Sequence, residues 1–223
     1  MKKIMFNDRY GLTQAVIEGR KTMTRRIITK SMAFTRLHPE NWSKEDIKAW
    51  NASFSFCVNG MNEEERRRCL DYVRDNGSRY KQGEIVAVAQ RYSTIAAGHP
   101  DVYTFLPQVA KAHKISIESV HDLAGWNNTM FTKAELMPHQ IRIIGIRCEL
   151  LQDITDEDCM KEGIREDPFP IENPYYFGDA KEGDIVHFGK PREAFASLID
   201  RVSGKGTWAS NPWVVVYEFE LVK

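Results

Sequence analysis

Cysteine is scarce in the sequence, and no two cysteines are close enough together to suggest a metal site. The chain has 223 residues and four cysteines, which form no Cys-x-x-Cys pair, and its six histidines form no His-Glu-x-x-His motif. We therefore expect no metal ion and no cofactor. The same scarcity predicts reduced, mostly buried thiols at Cys57, Cys69, Cys148 and Cys159.

Long hydrophobic runs are also lacking. No segment approaches the roughly 18 apolar residues that a membrane helix needs, and residues 1–10 have no apolar core of the kind found in signal peptides. With 42% hydrophobic and 28% charged residues, the composition is that of a globular protein rather than a disordered chain. We expect a cytoplasmic protein with no membrane partner.

An excess of charge of either sign is missing as well, because basic and acidic residues number 31 each. A protein that binds nucleic acid over its whole surface is normally basic, so this balance argues against such binding. The two signs are nevertheless segregated along the chain. Residues 19–39 hold six bases and no acid, whereas residues 151–170 hold seven acids and two bases. Any anionic ligand is therefore expected to meet a local patch.

The hydrophobic pattern predicts strands near both ends of the chain and helices in its middle. Strands are expected at 22–28, 141–150 and 213–221, the last with strict alternation of inward and outward positions. A helix is predicted over 107–123, because Pro107 suits a first helical turn. Glu65 lies three positions after Asn62, and Asp158 lies three positions after Thr155. This is the spacing of the capping box at the start of a helix.

This order of elements lacks the β-α-β rhythm of a doubly wound sheet. It predicts an α+β protein with a mainly β core, a mostly antiparallel, barrel-like sheet and helical insertions. One domain is expected over 1–223. The turn predicted before Ile85–Val88 resembles the one predicted at residues 181–184. The likeness indicates either an internal sequence repeat or the same type of tight turn used twice.

The segment Gly19-Arg20-Lys21-Thr22-Met23-Thr24-Arg25-Arg26 carries the strongest chemical signal. It is not a Walker A loop, because no glycine precedes Gly19 at the required distance. Lys21 at the turn and Thr24 in the strand are placed to converge on one ligand, to which they offer an ammonium and a hydroxyl group. The alternative is that these basic residues are simply solvated surface.

The same segment, with Met5-Phe6-Asn7 before it, resembles the Gly-Arg-Lys-Thr-x-Thr-x-Arg signature of the ASCH domain family, whose fold is the PUA-like β-barrel. Further matches in the family's order resemble its larger, phage-associated branch and bring the likeness to about half of the chain. They lie at Tyr80–Ile85, Met137-Pro138, Glu149–Ile164 and Trp208–Phe219. On this resemblance, residues 31–80, 92–134 and 168–206 are insertions.

The resemblance implies a site as well as a fold. In small members of the family, which remove the acyl group from N4-acetylcytidine, the matching catalytic positions fall on Lys21, Thr24 and Glu162. The alternative for Glu162 is an exposed residue at the end of an acidic helix. The expected ligand-binding residues are Arg20, Thr22, Arg25, Arg26, Tyr92, Trp208 and Asn211, with Trp208 a better stacking candidate than Trp213.

Tyr92 falls in a departure from the family pattern. Ala89-Gln90-Arg91-Tyr92 stands where the phage-associated branch commonly has Arg-Glu-x-Trp, so an amide replaces the acid and tyrosine keeps an aromatic ring. A charge-dependent role is not expected at this place, whereas stacking on a ligand is.

Three hypotheses follow for the function. The chain is an ASCH/PUA-like protein that binds RNA or a modified nucleotide or nucleoside and hydrolyses an amide of the N4-acylcytidine type. Alternatively, it is a non-catalytic module that binds RNA or a nucleotide in the same cleft, or a phage protein that acts on a host factor. If the family fold applies, the basic and acidic segments face each other across the cleft.

Overall fold

A computed structural model describes residues 1–28, 58–169, 171–178 and 186–222. Within these ranges the protein is α+β, with a mixed five-stranded sheet and a separate two-stranded one. The large sheet has the order β1-β3-β4-β7-β2, and β5 pairs with β6. The strands are β1 (Lys3–Ile4), β2 (Met23–Ile27), β3 (Ile85–Val88), β4 (Gln140–Leu150), β5 (Arg165–Glu166), β6 (Tyr175–Tyr176) and β7 (Trp213–Leu221).

The strands predicted near the two ends of the chain are confirmed, but a closed barrel is not. In the large sheet only β1 and β3 run parallel, and the other neighbours are antiparallel. Strand β4 pairs with β7 from Ile141↔Leu221 to Leu150↔Trp213. Because β1 and β2 lie at opposite edges, the described strands form an open sheet, and the expectation of a barrel is corrected to that extent.

Eight α-helices lie between residue 12 and residue 210 with both of their ends in the described ranges, and their bounds fit several capping signals. Asn62 and Glu65 form the expected capping box, and the Thr155 hydroxyl accepts a hydrogen bond from the Asp158 amide. The helices are α1 (Leu12–Ile17), α2 (Glu63–Tyr72), α3 (Tyr92–Gly98), α4 (Val102–His113), α5 (Ala124–Asn127), α6 (Asp156–Lys161), α7 (Pro191–Ser203) and α8 (Thr207–Ser210).

The helix predicted over 107–123 is displaced. Helix α4 begins five residues before Pro107, so the proline lies inside it rather than in its first turn. It ends where Lys114 adopts a left-handed conformation with φ 57°, and residues 118–122 form a separate 3-10 helix. Proline has no amide hydrogen and is favoured in a first helical turn, where that hydrogen is not needed, so this preference placed the helix start at Pro107 and missed the true boundary.

Two hydrophobic cores pack on the sheet and on the helices. The larger joins the sheet to α1, α6 and α7, and the smaller holds α3 and α4 with Met137. The predicted insertion 92–134 contains α3, α4 and α5, and 168–206 contains α7. Most of 31–80 and the turn at 181–184 lie outside the described residues. No described helix is both long and apolar enough to cross a membrane.

Candidate functional site

Lys21 reaches the protein interior because the chain turns sharply after α1. Gly19 has φ 72°, a conformation that favours glycine, and the amides of Arg20 and Lys21 both donate to the Ala15 carbonyl at 2.9 Å. The Thr22 amide then donates to the Lys161 carbonyl at 3.0 Å, which joins the turn to the end of α6. This turn leads directly into β2.

Glu162 comes to the same place from the other side. It is the C-cap of α6 and is followed by Gly163, whose φ is 104°. A Cβ atom on Gly163 would lie 3.3 Å from Leu12 and 3.6 Å from the Lys21 side chain, so glycine leaves room for the lysine to pass. Glu162 is therefore turned inward, in contrast to the alternative of an exposed helix end.

Lys21 and Glu162 form a buried ion pair. The lysine Nζ lies 2.6 Å from Glu162 Oε2 and donates to the Glu162 carbonyl oxygen at the same distance. Their side chains are only 2% and 5% exposed. The second carboxylate oxygen of Glu162 accepts a hydrogen bond from Arg25 Nη1 at 3.1 Å. One carboxylate therefore bridges Lys21 and Arg25, a contact that their spacing in the sequence did not predict.

Arg25, whose side chain is fully buried, is the centre of a wider network of charges that extends to partly exposed residues. Its Nη2 lies 2.6 Å from Glu149 Oε1 and 2.7 Å from Asp158 Oδ2. Arg147 contacts the same two carboxylates, at 2.8 and 2.6 Å, and also forms an ion pair with Glu218. The basic segment of β2 and the acidic segment of α6 thus meet directly.

A cavity of about 250 Å³ lies beside this ion pair. Thr24 lies in its wall, is 5% exposed, and its hydroxyl has no hydrogen-bonding partner among the described residues. Polar residues form one part of the wall, and one face of α7 forms an apolar part. The lining residues are Phe6, Asn7, Leu12, Lys21, Thr24, Arg25, Arg26, Ile27, Glu162, Phe195, Leu198, Ile199, Val202 and Ser203.

The surroundings lower the pKa of Lys21 from its ordinary value. Burial is the largest cause, since it penalises the charged ammonium. Glu162 opposes this effect through its charge and its hydrogen bond, whereas the positive charges of Arg26 and Arg25 add to it. An amine with this balance of influences gives up its proton more easily than a solvent-exposed lysine.

Arg20 and Thr22, both expected to bind ligand, lie outside the cavity. Arg20 is exposed and its guanidinium pairs with Glu18 on the outer side of α1. The Thr22 carbonyl accepts from the Phe219 amide, so its backbone belongs to the junction of β2 and β7. Arg25 and Arg26, in contrast, line the cavity, and Arg26 also donates to the Met5 carbonyl.

Tyr92, Trp208 and Asn211 also lie outside the cavity, where packing and turn contacts hold them. Tyr92 is fully buried in the smaller core, and its hydroxyl bonds His113 Nε2 at 2.9 Å and accepts from the Lys133 amide at 2.8 Å. Its ring has no accessible face for stacking, so that expectation is corrected.

Trp208 lies in α8, and Asn211 lies in the turn between α8 and β7. Trp208 packs edge-to-face on Phe195 and lies under the Arg192 guanidinium, 5.4 Å from the ring centroid. Asn211 has φ 43°, and its side-chain oxygen accepts from the Gln152 amide at 2.8 Å. Trp213, as expected, packs in the larger core.

The sequence analysis missed two parts of the site. Glu149, Asp158 and Arg147 were not identified as site residues. Arg25 and Arg147 share the two carboxylates only because β2, β4 and α6 pack together in the fold. The apolar wall on α7 had a readable signal: Phe195, Leu198, Ile199 and Val202 are spaced as one helical face.

Comparison of the chain with known proteins does not assign it to a family. No protein-family model, no curated protein and no solved structure matches the chain. In the described ranges, no group of three or more His, Cys, Asp or Glu side chains is arranged to hold a metal ion. The residues that line the cavity are therefore the features of the chain that point to a function.

Proposed function

We propose that the chain is an amidohydrolase of the ASCH type, which removes the acyl group from an N4-acylcytidine-like nucleoside. One observation carries this proposal: Lys21, Thr24 and Glu162 lie in the wall of a single cavity, although 138 residues separate Thr24 from Glu162. A hydroxyl without a partner, an amine with a lowered pKa and a buried carboxylate are the groups that amide hydrolysis through a covalent intermediate uses.

In the proposed reaction, neutral Lys21 accepts the proton of the Thr24 hydroxyl while Thr24 Oγ attacks the acyl carbonyl carbon. The C–N bond then breaks, and the amino group of the nucleoside leaves with the proton from the Lys21 ammonium. Water next attacks the threonine ester and gives its proton to Lys21. The C–Oγ bond then breaks, the Lys21 ammonium returns the proton to Thr24 Oγ, and the carboxylic acid is released. Glu162 stabilises the ammonium that forms in each step.

Arg26 has a supporting role in this scheme. It lines the cavity and carries a permanent positive charge. The tetrahedral intermediate places negative charge on the former carbonyl oxygen, and a cation in the wall stabilises it. The scheme therefore assigns nucleophile, base and oxyanion partner to neighbouring positions of one strand and its preceding turn.

The cavity favours a small ligand over a long nucleic acid. Its volume of about 250 Å³ lies just below the roughly 300–1,000 Å³ of sites for drug-sized ligands. Arg25, which is expected to bind ligand, already contacts three carboxylates and has a fully buried side chain. In the described part of the basic segment, the charges of Lys21 and Arg25 are therefore balanced by carboxylates within the protein rather than presented to a polyanion.

The test is hydrolysis of a panel of N4-acylcytidines by the purified protein, measured by chromatography of the released cytidine. Lys21→Met is expected to lower kcat at least about 100-fold, since general-base catalysis contributes roughly that much or more. Lys161→Met is the matched control, because the Lys161 side chain is 42% exposed and its ion-pair partner among the described residues is Glu157 on its own helix. It is expected to retain the wild-type rate.

Two results contradict the proposal. If no member of the panel is hydrolysed while the nucleosides bind, the non-catalytic module is the better assignment. If Lys21→Met and Lys161→Met retain equal activity, the reaction does not use the cavity. Circular dichroism of both variants establishes that each one is folded.

A further inference from the structure

Arg25 has no part in the proposed reaction steps, yet it is the most completely paired side chain of the site. Its side chain is fully buried, and its three guanidinium nitrogens contact carboxylates from three places in the chain: Glu149 on β4, Asp158 within α6 and Glu162 at the end of α6. A cation so held is not available to bind a ligand as well. Its position calls for another explanation.

The shared carboxylate of Glu162 provides that explanation. Oε2 contacts Lys21 at 2.6 Å, and Oε1 contacts Arg25 at 3.1 Å. A carboxylate held at both oxygens has a fixed orientation, because rotation would break one of the two contacts. Its negative charge is also divided between two cations, so it binds the lysine ammonium less strongly than a carboxylate that serves Lys21 alone.

We propose that Arg25 is a positioning residue, which holds Glu162 against Lys21 and takes up part of its charge so that Lys21 can act as a base. This inference rests on the proposed function and deepens it by naming what regulates the base. Arg25 does not touch substrate in this role. It acts through Glu162, and Glu149 and Asp158 hold it in place.

The arrangement suits arginine rather than lysine. A guanidinium is planar, permanently charged and presents donors in several directions, whereas an ammonium is a single point of charge. In Arg25, Nε and Nη2 contact Glu149, Nη2 also contacts Asp158, and Nη1 contacts Glu162. The charged groups that act on Lys21 are Glu162, Arg26 and Arg25, so removal of Arg25 leaves one cation and one anion beside the base.

The direct test measures the titration of Lys21 without any substrate. Protein labelled with ¹³C at lysine Cε is followed by NMR from pH 6 upward, and the Lys21 signal is assigned by its loss in Lys21→Met. In Arg25→Gln, the midpoint is expected to rise by at least about 1 pH unit, because a nearby positive charge is lost and Glu162 then serves Lys21 alone. Arg25→Lys is expected to fall between Arg25→Gln and wild type.

Arg147→Gln is the matched control for this measurement. Arg147 contacts Glu149 and Asp158, as Arg25 does, and forms no ion pair with Glu162 or Lys21 among the described residues. A purely structural role in the charge network predicts similar results for Arg147→Gln and Arg25→Gln. The positioning role predicts a Lys21 midpoint in Arg147→Gln that is close to that of wild type.

The kinetic counterpart is the pH profile of kcat for an N4-acylcytidine. Arg25→Gln is expected to move the acid limb to higher pH and to lower kcat at least about 10-fold at neutral pH, with KM changed less than kcat. An unchanged or lowered Lys21 midpoint in folded Arg25→Gln overturns the inference, even if the enzyme is active. Absence of hydrolysis in wild type together with the expected NMR shift overturns the proposed function alone.

Discussion

Helix α2 and the buried group of Lys21, Glu162 and Arg25, here called the Lys21 cluster, both contain opposite charges, but only in the cluster are these charges removed from water. On α2, three glutamates precede three arginines, and Glu64 and Arg68 lie 3.9 Å apart with about 70% of each side chain exposed. In the cluster, Lys21 and Glu162 lie 2.6 Å apart and are almost fully buried. Charges close in sequence pair locally and stay in water, whereas charges 141 residues apart pair through the fold and form a cavity wall.

The difference has an energetic consequence. An exposed pair gains little because water screens it and both side chains lose conformational freedom. A buried pair is expensive to form, and removal of one partner leaves a charge in a medium that solvates it poorly. The cluster is therefore expected to be sensitive to substitution and α2 tolerant of it.

The largest expected effect is that of Glu162→Gln. This change keeps the side-chain volume but leaves Lys21 and one nitrogen of Arg25 without their shared carboxylate. The free energy of unfolding is expected to fall by about 3 kcal/mol, as for other buried ion pairs that lose one partner. Urea denaturation followed by circular dichroism measures this free energy. A loss below about 1 kcal/mol would contradict the expectation that the buried cluster is more sensitive to substitution than α2.

A smaller effect concerns the pH dependence of stability. Because the pKa of Lys21 is lowered in the folded protein, the unfolded chain binds more protons at this residue between that lowered pKa and the ordinary value of 10.5. Its contribution to the free energy of unfolding therefore rises with pH through this interval and is absent below the folded-state pKa.

The check is the difference in free energy of unfolding between wild type and Lys21→Met, measured by urea denaturation at several pH values from 7 to 10. This difference is expected to move in favour of wild type as pH rises. A difference that is constant, or that moves the other way, contradicts the lowered pKa of Lys21.

The smallest expected effect is that of Glu64→Gln, the same chemical change made on α2. It is expected to alter the free energy of unfolding by less than about 0.5 kcal/mol. Added salt should reduce even this effect, since an exposed pair is screened. If Glu64→Gln lowers the free energy of unfolding as much as Glu162→Gln does, burial is not what makes an ion pair sensitive to substitution.

Local features of the fold were predictable where the determining residues are neighbours in sequence. The alternation in β7, the capping box of Asn62 and the N-cap of Thr155 each depend on residues within a few positions. The start of α4 was not predicted, because Asp101 forms no side-chain cap and Pro107 provided a misleading signal. The barrel was expected from the order of the elements along the chain as well as from the family resemblance, and neither records where the edges of the sheet lie.

The site was predictable in part for the same reason. Lys21 and Thr24 lie in one continuous segment, and Glu162 was identified through the resemblance. The pairing of Arg25 with Glu149 and Asp158 depends on how β2, β4 and α6 pack, which no spacing in the sequence records. Tyr92 was misassigned because an aromatic residue after a strand looks alike whether it packs in a core or faces a ligand.

The most direct test of the central claim is to look for the acyl group on Thr24. Protein is mixed with an N4-acylcytidine and quenched with acid, and its peptides are analysed by mass spectrometry, with Thr24→Val as the control. We expect an acyl ester on Thr24 in wild type, and neither an ester nor cytidine release in Thr24→Val. Cytidine release by Thr24→Val at the wild-type rate would contradict it.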